Sequence, residues 1–250
     1  MFEQTKAVMF DLDGTIYYGS RIIEGANEAI ERCRELGKRV FFLTNNSTKT
    51  RAQLYEKLSG MDIDCAFDEV VTSGYVAALY AKREGLGKIY LCGSADLASE
   101  FEEVGVSTAL ASEAENLFIG YDPAFDYAKL TDAVRVALRA KRIIACNKEK
   151  VFRGEGAQWF PGCGGMVAPI EWCSGRSSDY VIGKPNTLML EMLCSQLSIT
   201  EKEALVVGDT YGSDILMANR FGCPSVLIGT QEYPDTVTIG RIGELVHLLG

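Results

Sequence analysis

Residues 7–19 read AVMFDLDGTIYYG, an apolar run that turns acidic within one residue. Four apolar residues lead directly into Asp11, and a single leucine separates that residue from Asp13. A continuous apolar run bounded by turn residues is typical of a strand that is buried on both faces of a parallel sheet. The stretch therefore predicts a buried strand that ends at two carboxylates, with Gly14 permitting a tight bend after them.

The rest of the chain alternates between short apolar runs and amphipathic helical patterns. The alternation predicts core strands at 6–10, 39–43, 205–208 and 225–229 and helices at 26–36, 186–197 and 239–249. The middle of the chain adds strands at 88–93, 116–122 and 142–148, with a helix at 127–140. We therefore expect an α/β protein with a Rossmann-like core of mostly parallel sheet, formed by residues 1–85 and 174–250. A second α/β domain, residues 86–173, is inserted as a cap.

The composition limits the classes of partner. The chain has 250 residues, 47% of them hydrophobic, and a formal net charge of −9, which argues against nucleic acids and anionic membranes as partners. No apolar run approaches the roughly 20 residues that span a bilayer, and no basic, apolar leader opens the sequence. The eight cysteines form no C-x-x-C pair, which is typical of reduced structural thiols. These features predict a cytoplasmic protein.

Polar side chains follow the ends of several predicted core strands. In open parallel sheets, ligands bind beyond the carboxyl ends of the strands. The residues placed there are Asp11, Asp13, Thr44, Asn45, Asn46, Lys184, Asp209 and Asp214. Each of these alone is commonly a turn former, a helix cap or a surface charge. Their joint position at one edge of a sheet favours a functional site.

The chemistry of these side chains suits phosphoryl transfer. An ionised carboxylate needs no base to attack phosphorus, so Asp11 can be the nucleophile. Asp13, two residues further along an extended segment, can protonate the leaving alkoxide and later deprotonate water. Clustered carboxylates beside a phosphate repel one another unless a hard divalent cation is bound, and oxygen ligands without nearby His or Cys select Mg²⁺.

The remaining strand-end groups can hold the phosphoryl group. Lys184 supplies a fixed positive charge, and the Thr44 hydroxyl and the main-chain N–H groups of Asn45 and Asn46 can donate to phosphoryl oxygens.

Four segments, in this order, resemble the motifs of the haloacid-dehalogenase superfamily: DLDGT (11–15), LTNN (43–46), GKP (183–185) and GDTYGSD (208–214). The insertion between the second and third motifs resembles the large α/β cap of the class IIA phosphatases. The resemblance implies a Mg²⁺-dependent phosphatase that acts on a small phosphorylated metabolite through an aspartyl-phosphate on Asp11. It implies a metal held by the Asp11 side chain, the Asp13 main-chain carbonyl and Asp209, with Asp214 supporting the site. It also suggests a homodimer formed through the cap.

Two cap residues and one departure from the family pattern bear on specificity. Asp122 and Asn147 follow cap strands and are candidates for contacts with the leaving group, although both residue types are also ordinary turn formers. At 145–149 the chain reads ACNKE where relatives often read Ala-Thr-Asn-Pro-Asp, a change that lies outside the catalytic motifs.

Three other functions use a similar set of residues. A receiver-like phospho-acceptor domain would combine an acceptor Asp, a Thr, a Lys and metal-binding acids without catalysing release of phosphate. A dehalogenase could use Asp11, but a halide leaves without a proton and gives Asp13 no task. A phosphomutase would return the phosphoryl group to a sugar hydroxyl. A phosphatase is the function that the residues favour.

Overall fold

The structure is a computed structural model that describes residues 2–153 and 158–249. Met1 and Gly250, the ends of the predicted core, and residues 154–157 of the predicted cap lie outside the described residues. The strands are β1 (Ala7–Asp11), β2 (Tyr17–Tyr18), β3 (Arg21–Ile22), β4 (Arg39–Thr44), β5 (Val70–Thr72), β6 (Ile89–Cys92), β7 (Asn116–Ile119), β8 (Arg142–Ala145), β9 (Val151–Arg153), β10 (Trp159–Pro161), β11 (Tyr180–Val181), β12 (Ala204–Gly208), β13 (Ser225–Ile228) and β14 (Val237–Ile239).

The helices alternate with these strands along most of the chain. They are α1 (Ala26–Glu35), α2 (Arg51–Ser59), α3 (Ser73–Arg83), α4 (Ala95–Glu103), α5 (Tyr127–Ala137), α6 (Gly164–Ser174), α7 (Leu188–Leu197), α8 (Leu216–Phe221) and α9 (Leu245–Leu248). Among the residues that the structure describes, no helix combines the length and the apolar character needed to cross a bilayer.

The first compact unit contains Met1–Thr44, Ala52–Val71 and Lys184–Gly250. Its sheet has six strands in the order β14-β13-β12-β1-β4-β5. β1 lies at the centre and pairs in parallel with β12 on one side and β4 on the other. All five residues of β1 are buried, and Phe10 stacks on Phe42 of β4 in the core. The continuous apolar run in the sequence is therefore the central strand, and the predicted Rossmann-like α/β core is confirmed.

The second compact unit contains Asn45–Arg51 and Thr72–Gly183. Its own sheet has four parallel strands in the order β11-β8-β7-β6. Helices α5 and α6 pack on this sheet through residues such as Val136 and Ile170, which are fully buried beside Leu117 and Ile143. The strands β9 and β10 pair antiparallel with each other and precede α6.

The second unit extends beyond the predicted limits of the insertion, 86–173, on both sides. At the carboxyl side, residues 180–181 form β11 and pair with Ile144 and Ala145 of β8, although the sequence analysis placed them in the core. At the amino side, α3 and the segment Asn45–Arg51 join this unit because their polar atoms are bonded within it. Ser73 Oγ donates to the Asn45 carbonyl, and the Arg51 N–H donates to Glu100 Oε1. Such long-range bonds are invisible to local sequence patterns.

The predicted helix at 239–249 is shorter than expected. Ile239 ends β14, where it pairs with Ile228 of β13, and helix α9 begins only at Leu245. The spacing of the apolar residues suited a helix, but Ile239 instead pairs with β13 as part of the edge strand of the sheet. Gly240 and a short 3₁₀ turn, Ile242–Glu244, separate the two elements.

Candidate active site

Three neighbouring strands of the first unit end in candidate site residues. Asp11 is the last residue of β1, Thr44 is the last residue of β4, and Asp209 directly follows β12. Because these strands are parallel and adjacent, their carboxyl ends lie at the same edge of the sheet. Asp214 reaches this edge from the π-helical turn Tyr211–Ile215 that follows β12.

Lys184 is buried at the centre of the acidic groups. Its side chain is 3% exposed, and its ammonium donates to Asp11 Oδ1 and, at 2.6 Å, to Asp214 Oδ1. A longer contact of 3.4 Å joins the ammonium to the Leu43 carbonyl at the end of β4. Lys184 directly precedes Pro185 in the GKP segment, so the third motif delivers one cation to residues of the first and fourth motifs.

The electrostatics of this cluster follow from its burial. Burial by itself lowers the pKa of Lys184, but the carboxylates of Asp11 and Asp214 outweigh it and leave that pKa raised, so the ammonium stays charged. Burial raises the pKa of Asp11, as do the neighbouring charges of Asp214 and Asp209, while Lys184 opposes the rise. Burial and Asp214 raise the pKa of Asp209 to about 6. The carboxylates therefore exceed the positive charge available to them.

Three of these carboxylates could hold a metal ion. Asp11, Asp209 and Asp214 each offer an oxygen, and these oxygens lie within 4.8 Å of one another. Among the residues that the structure describes, this is the one group of three or more His, Cys, Asp or Glu side chains so arranged. Three ionised carboxylates and one ammonium carry a formal charge of −2, which a bound divalent cation would neutralise.

Gly14 lets the chain turn closely beside Asp209. Its φ is +94°, a conformation that favours glycine, and a Cβ at this position would lie 2.1 Å from Asp209 Oδ2. The turn is held by main-chain bonds from Ile16 N–H to the Leu12 carbonyl at 2.9 Å and from Gly14 N–H to the Tyr17 carbonyl at 2.9 Å. The glycine of the first motif is therefore required by the position of an acid of the fourth motif.

Asp13 lies in a different environment from Asp11. Its side chain is not part of the three-carboxylate group, and its Oδ2 accepts a hydrogen bond of 3.4 Å from the Tyr17 hydroxyl. The Lys57 ammonium lies 3.7 Å from the centre of the Tyr17 ring. Partial desolvation raises the pKa of Asp13, while Lys57, Lys184 and the Tyr17 hydroxyl lower it. The result is a carboxyl with a raised pKa, which suits a group that must carry a proton.

Sequence reasoning did not identify Tyr17 or Lys57. Tyr17 is 1% exposed and reads as a core aromatic, and Lys57 reads as an ordinary charge on helix α2. The position of Tyr17 four residues after Asp13, where a tight turn could bring it back, is the one local signal.

Asn45 and Asn46 begin the second unit, directly after Thr44. Thr44 is 5% and Asn45 6% exposed. Asn46 Oδ1 accepts hydrogen bonds of 2.9 Å from the N–H groups of Thr48 and Lys49, which fixes the loop that precedes α2. The Asn45 side-chain amide donates to Glu149 Oε1 at 2.9 Å.

Asp122 and Asn147 are both buried in the second unit, where their polar atoms already have partners. Asp122 Oδ1 accepts from the Ala124 N–H at 2.8 Å, and Oδ2 pairs with the Lys129 ammonium. Asn147 Nδ2 donates to the Asn45 carbonyl at 2.7 Å, and its Oδ1 accepts from the Glu149 N–H at 3.1 Å. These contacts fit the turn-forming role, and a contact of either residue with a leaving group stays a prediction.

Comparisons with known proteins cover both parts of the site. The sequence model of the family described as "Haloacid dehalogenase-like hydrolase" matches residues 8–107, and a second model of the same kind matches residues 181–239. Asp11, Asp13 and Thr44 fall in the first match, and Lys184, Asp209 and Asp214 fall in the second.

Among curated relatives, the sugar-phosphatase AraL of Bacillus subtilis is 34% identical over 225 residues, which are 89% of this chain and 82% of that protein. The glycerol-3-phosphate phosphatase of Homo sapiens is 30% identical over 249 residues, covering 88% of this chain and 77% of that protein.

Among solved structures, a p-nitrophenyl phosphatase from Archaeoglobus fulgidus has a TM-score of 0.91 and 28% identity, over 98% of this chain and 99% of that chain. A 4-nitrophenylphosphatase from Thermotoga maritima has a TM-score of 0.92 and 27% identity, over 100% and 99%.

Proposed function

Since this chain belongs to the haloacid dehalogenase-like hydrolase family, we propose that it is a Mg²⁺-dependent phosphomonoesterase of small phosphorylated metabolites. The observation that carries the proposal is the buried contact of Lys184 with Asp11 and Asp214, beside Asp209. It joins residues from three separate motifs into one charged cluster, for which a phosphoryl group and a divalent cation are the fitting ligands. Relatives named for sugar phosphates and glycerol 3-phosphate support a small, polar leaving group.

The donor set of the cluster fits magnesium. Carboxylate oxygens of Asp11 and Asp209 and the Asp13 main-chain carbonyl would hold the ion, with Asp214 supporting the site, and all of these ligands are hard oxygens. When bound, Mg²⁺ neutralises carboxylate charge and polarises a phosphoryl oxygen.

In the first half of the proposed reaction, a carboxylate oxygen of Asp11 attacks phosphorus and the bond from phosphorus to the leaving oxygen breaks. Lys184 holds the Asp11 carboxylate and supplies positive charge beside it. Thr44 and the N–H groups of Asn45 and Asn46 would donate to the phosphoryl oxygens. Asp13 gives its proton to the departing alkoxide.

In the second half, water attacks phosphorus and the bond between phosphorus and the Asp11 carboxylate breaks. Asp13, now ionised, takes the proton from that water, and inorganic phosphate leaves. The carboxyl that was the acid therefore acts as the base, and the enzyme returns to its starting protonation state.

We propose that residues 86–173 act as a cap that selects the leaving group, that two copies pair through this cap, and that the protein is cytoplasmic.

The test uses p-nitrophenyl phosphate in Mg²⁺. Asp11→Asn is expected to abolish turnover because an amide is a poor nucleophile, whereas Asp68→Asn, at an exposed turn, is expected to keep it. Turnover of Asp11→Asn at the wild-type rate would sink the proposal. A wild-type protein that becomes stably phosphorylated and releases no phosphate would point instead to a receiver-like acceptor domain.

A further inference from the structure

Asn147, two residues after β8, holds the main chain of Asn45 inside the second unit. This residue is only 3% exposed, and its Nδ2 donates to the Asn45 carbonyl at 2.7 Å. Its Oδ1 accepts from the Glu149 N–H at 3.1 Å, and Glu149 Oε1 in turn accepts from Asn45 Nδ2 at 2.9 Å. The three residues form a closed ring of hydrogen bonds, which we call the Asn45 clamp.

A second contact reinforces the Asn45 clamp. Ser73 Oγ, at the start of α3, donates to the Asn45 carbonyl at 2.7 Å and lies 3.2 Å from the Asn46 carbonyl. The Asn45 carbonyl therefore has two side-chain donors, and both of its lone pairs are used. A carbonyl held from two directions fixes the orientation of the peptide unit that follows it.

Gly183 packs against the same residues. Its N–H donates to the Cys146 carbonyl at 2.8 Å, and a Cβ at this position would lie 2.3 Å from Asn45 Oδ1. The absence of a side chain at residue 183 therefore lets this segment approach Asn45 closely. Two of the four points at which the chain passes between the compact units are 44/45 and 183/184, and their residues in the second unit, Asn45 and Gly183, lie against one another.

The neighbours of these two points are residues of the proposed site. Thr44 directly precedes Asn45, and Lys184 directly follows Gly183. We infer that Asn147 and Glu149 are positioning residues, which fix the main chain of Asn45 and thereby the groups that hold the phosphoryl oxygens. This inference rests on the proposed function. It means that Asn147 and Glu149, in the 145–149 segment that departs from the family pattern, act on the phosphoryl transfer that all substrates share.

A positioning role and a contact with the leaving group would change different kinetic quantities. A positioning role acts on the phosphoryl group, which every substrate shares, so kcat/KM should change by one factor for all substrates. A contact with the leaving group would change the preference between substrates and leave the binding of inorganic phosphate unchanged.

The experiment compares Glu149→Ala, Glu149→Gln and Asn147→Asp with wild type, and uses Glu113→Ala, an exposed residue of the same unit, as the control. It measures kcat/KM for p-nitrophenyl phosphate and for glycerol 3-phosphate, and the inhibition constants of inorganic phosphate and orthovanadate. Thermal melting checks that each variant folds.

Glu149→Ala loses the acceptor for Asn45 Nδ2, and Asn147→Asp replaces the donor to the Asn45 carbonyl by an acceptor. Each is expected to lower kcat/KM roughly fivefold to tenfold for both substrates, the effect of one hydrogen bond, and to weaken phosphate and vanadate inhibition by a similar factor. Glu149→Gln keeps a carbonyl acceptor and should stay within about twofold of wild type.

Two results would overturn the inference. One is a changed ratio between the two substrates with unchanged phosphate and vanadate inhibition, which would assign the residues to the leaving group. The other is a folded Glu149→Ala that behaves as the control does. If Asn147→Asp does not fold, the comparison of Glu149→Ala with Glu149→Gln still tests the inference, since Glu149 is only half-buried. A wild-type protein without phosphatase activity would instead refute the proposed function.

Discussion

Replacing Lys184 by methionine isolates the energetic role of the ammonium at the centre of the site. Methionine keeps a long apolar side chain but removes the charge and the hydrogen bonds to Asp11, to Asp214 at 2.6 Å and to the Leu43 carbonyl at 3.4 Å. With ionised carboxylates at Asp11, Asp209 and Asp214, the formal charge of the cluster changes from −2 to −3. Removing one partner of a buried ion pair costs about 3–5 kcal/mol, because the other charge stays buried without compensation.

We therefore expect Lys184→Met to lower the free energy of unfolding by about 3–5 kcal/mol in EDTA at pH 7, measured by urea denaturation. Millimolar Mg²⁺ should restore part of the loss, since a bound cation replaces the missing positive charge. The matched control is Lys6→Met, which removes an exposed contact of 2.5 Å with Glu203 and should cost less than about 1 kcal/mol.

The pH dependence gives a second readout of the same variant. The pKa values of Asp11 and Asp209 are raised in the folded protein, so the folded state binds more protons than the unfolded chain, and acidification favours it. Without Lys184 this effect is larger, and the deficit of Lys184→Met should shrink between pH 7 and pH 5. A deficit in EDTA no greater than that of Lys6→Met, or one that grows on acidification, would refute the argument that Lys184 compensates the buried carboxylates.

Two further predictions concern the groups around Asp209. Gly14→Ala places a Cβ against Asp209 Oδ2 at a φ of +94°, whereas Gly19→Ala has a φ of +59° and no atom within 4 Å of its Cβ. Gly14→Ala should therefore lose at least about 1 kcal/mol more stability than Gly19→Ala in urea and should weaken Mg²⁺ binding, and equal losses would contradict the contact. Because the pKa of Asp209 is about 6 without a metal, protons compete with Mg²⁺ below that pH. Calorimetric affinity for Mg²⁺ should fall about tenfold from pH 7 to pH 5, and an affinity independent of pH would contradict this role of Asp209.

The core of the fold could be predicted from sequence because it depends on local patterns. The run before Asp11 is apolar at every position, which a strand buried on both faces requires, and it is the central strand β1. The same patterns placed β4 and β12 and therefore put Thr44 and Asp209 at strand ends. Side chains at the ends of adjacent parallel strands must lie at one edge, so their association followed from the order of the motifs.

The limits of the second unit could not be predicted in the same way. Residues 180–181 fall within the segment 174–250 that was assigned to the core, but their pairing with β8 places them in the second sheet. Ile239 suited a helix by spacing, but its neighbour in the sheet made it part of β14. A short apolar segment can extend either of two sheets, and the choice depends on which edge the folded chain leaves open.

The sequence by itself determined which chemistry the chain carries: Asp11, Thr44 and Asp209 stand at the ends of core strands whose position is fixed by hydrophobic periodicity. The tertiary structure alone decided how those groups are supported. Tyr17 meets Asp13 and Lys57 across a turn and a helix, and Asn147 reaches Asn45 over a separation of 102 residues. Periodicity reports which face of an element is buried, whereas the partner of a particular polar atom is set by the packing of elements that are distant in sequence.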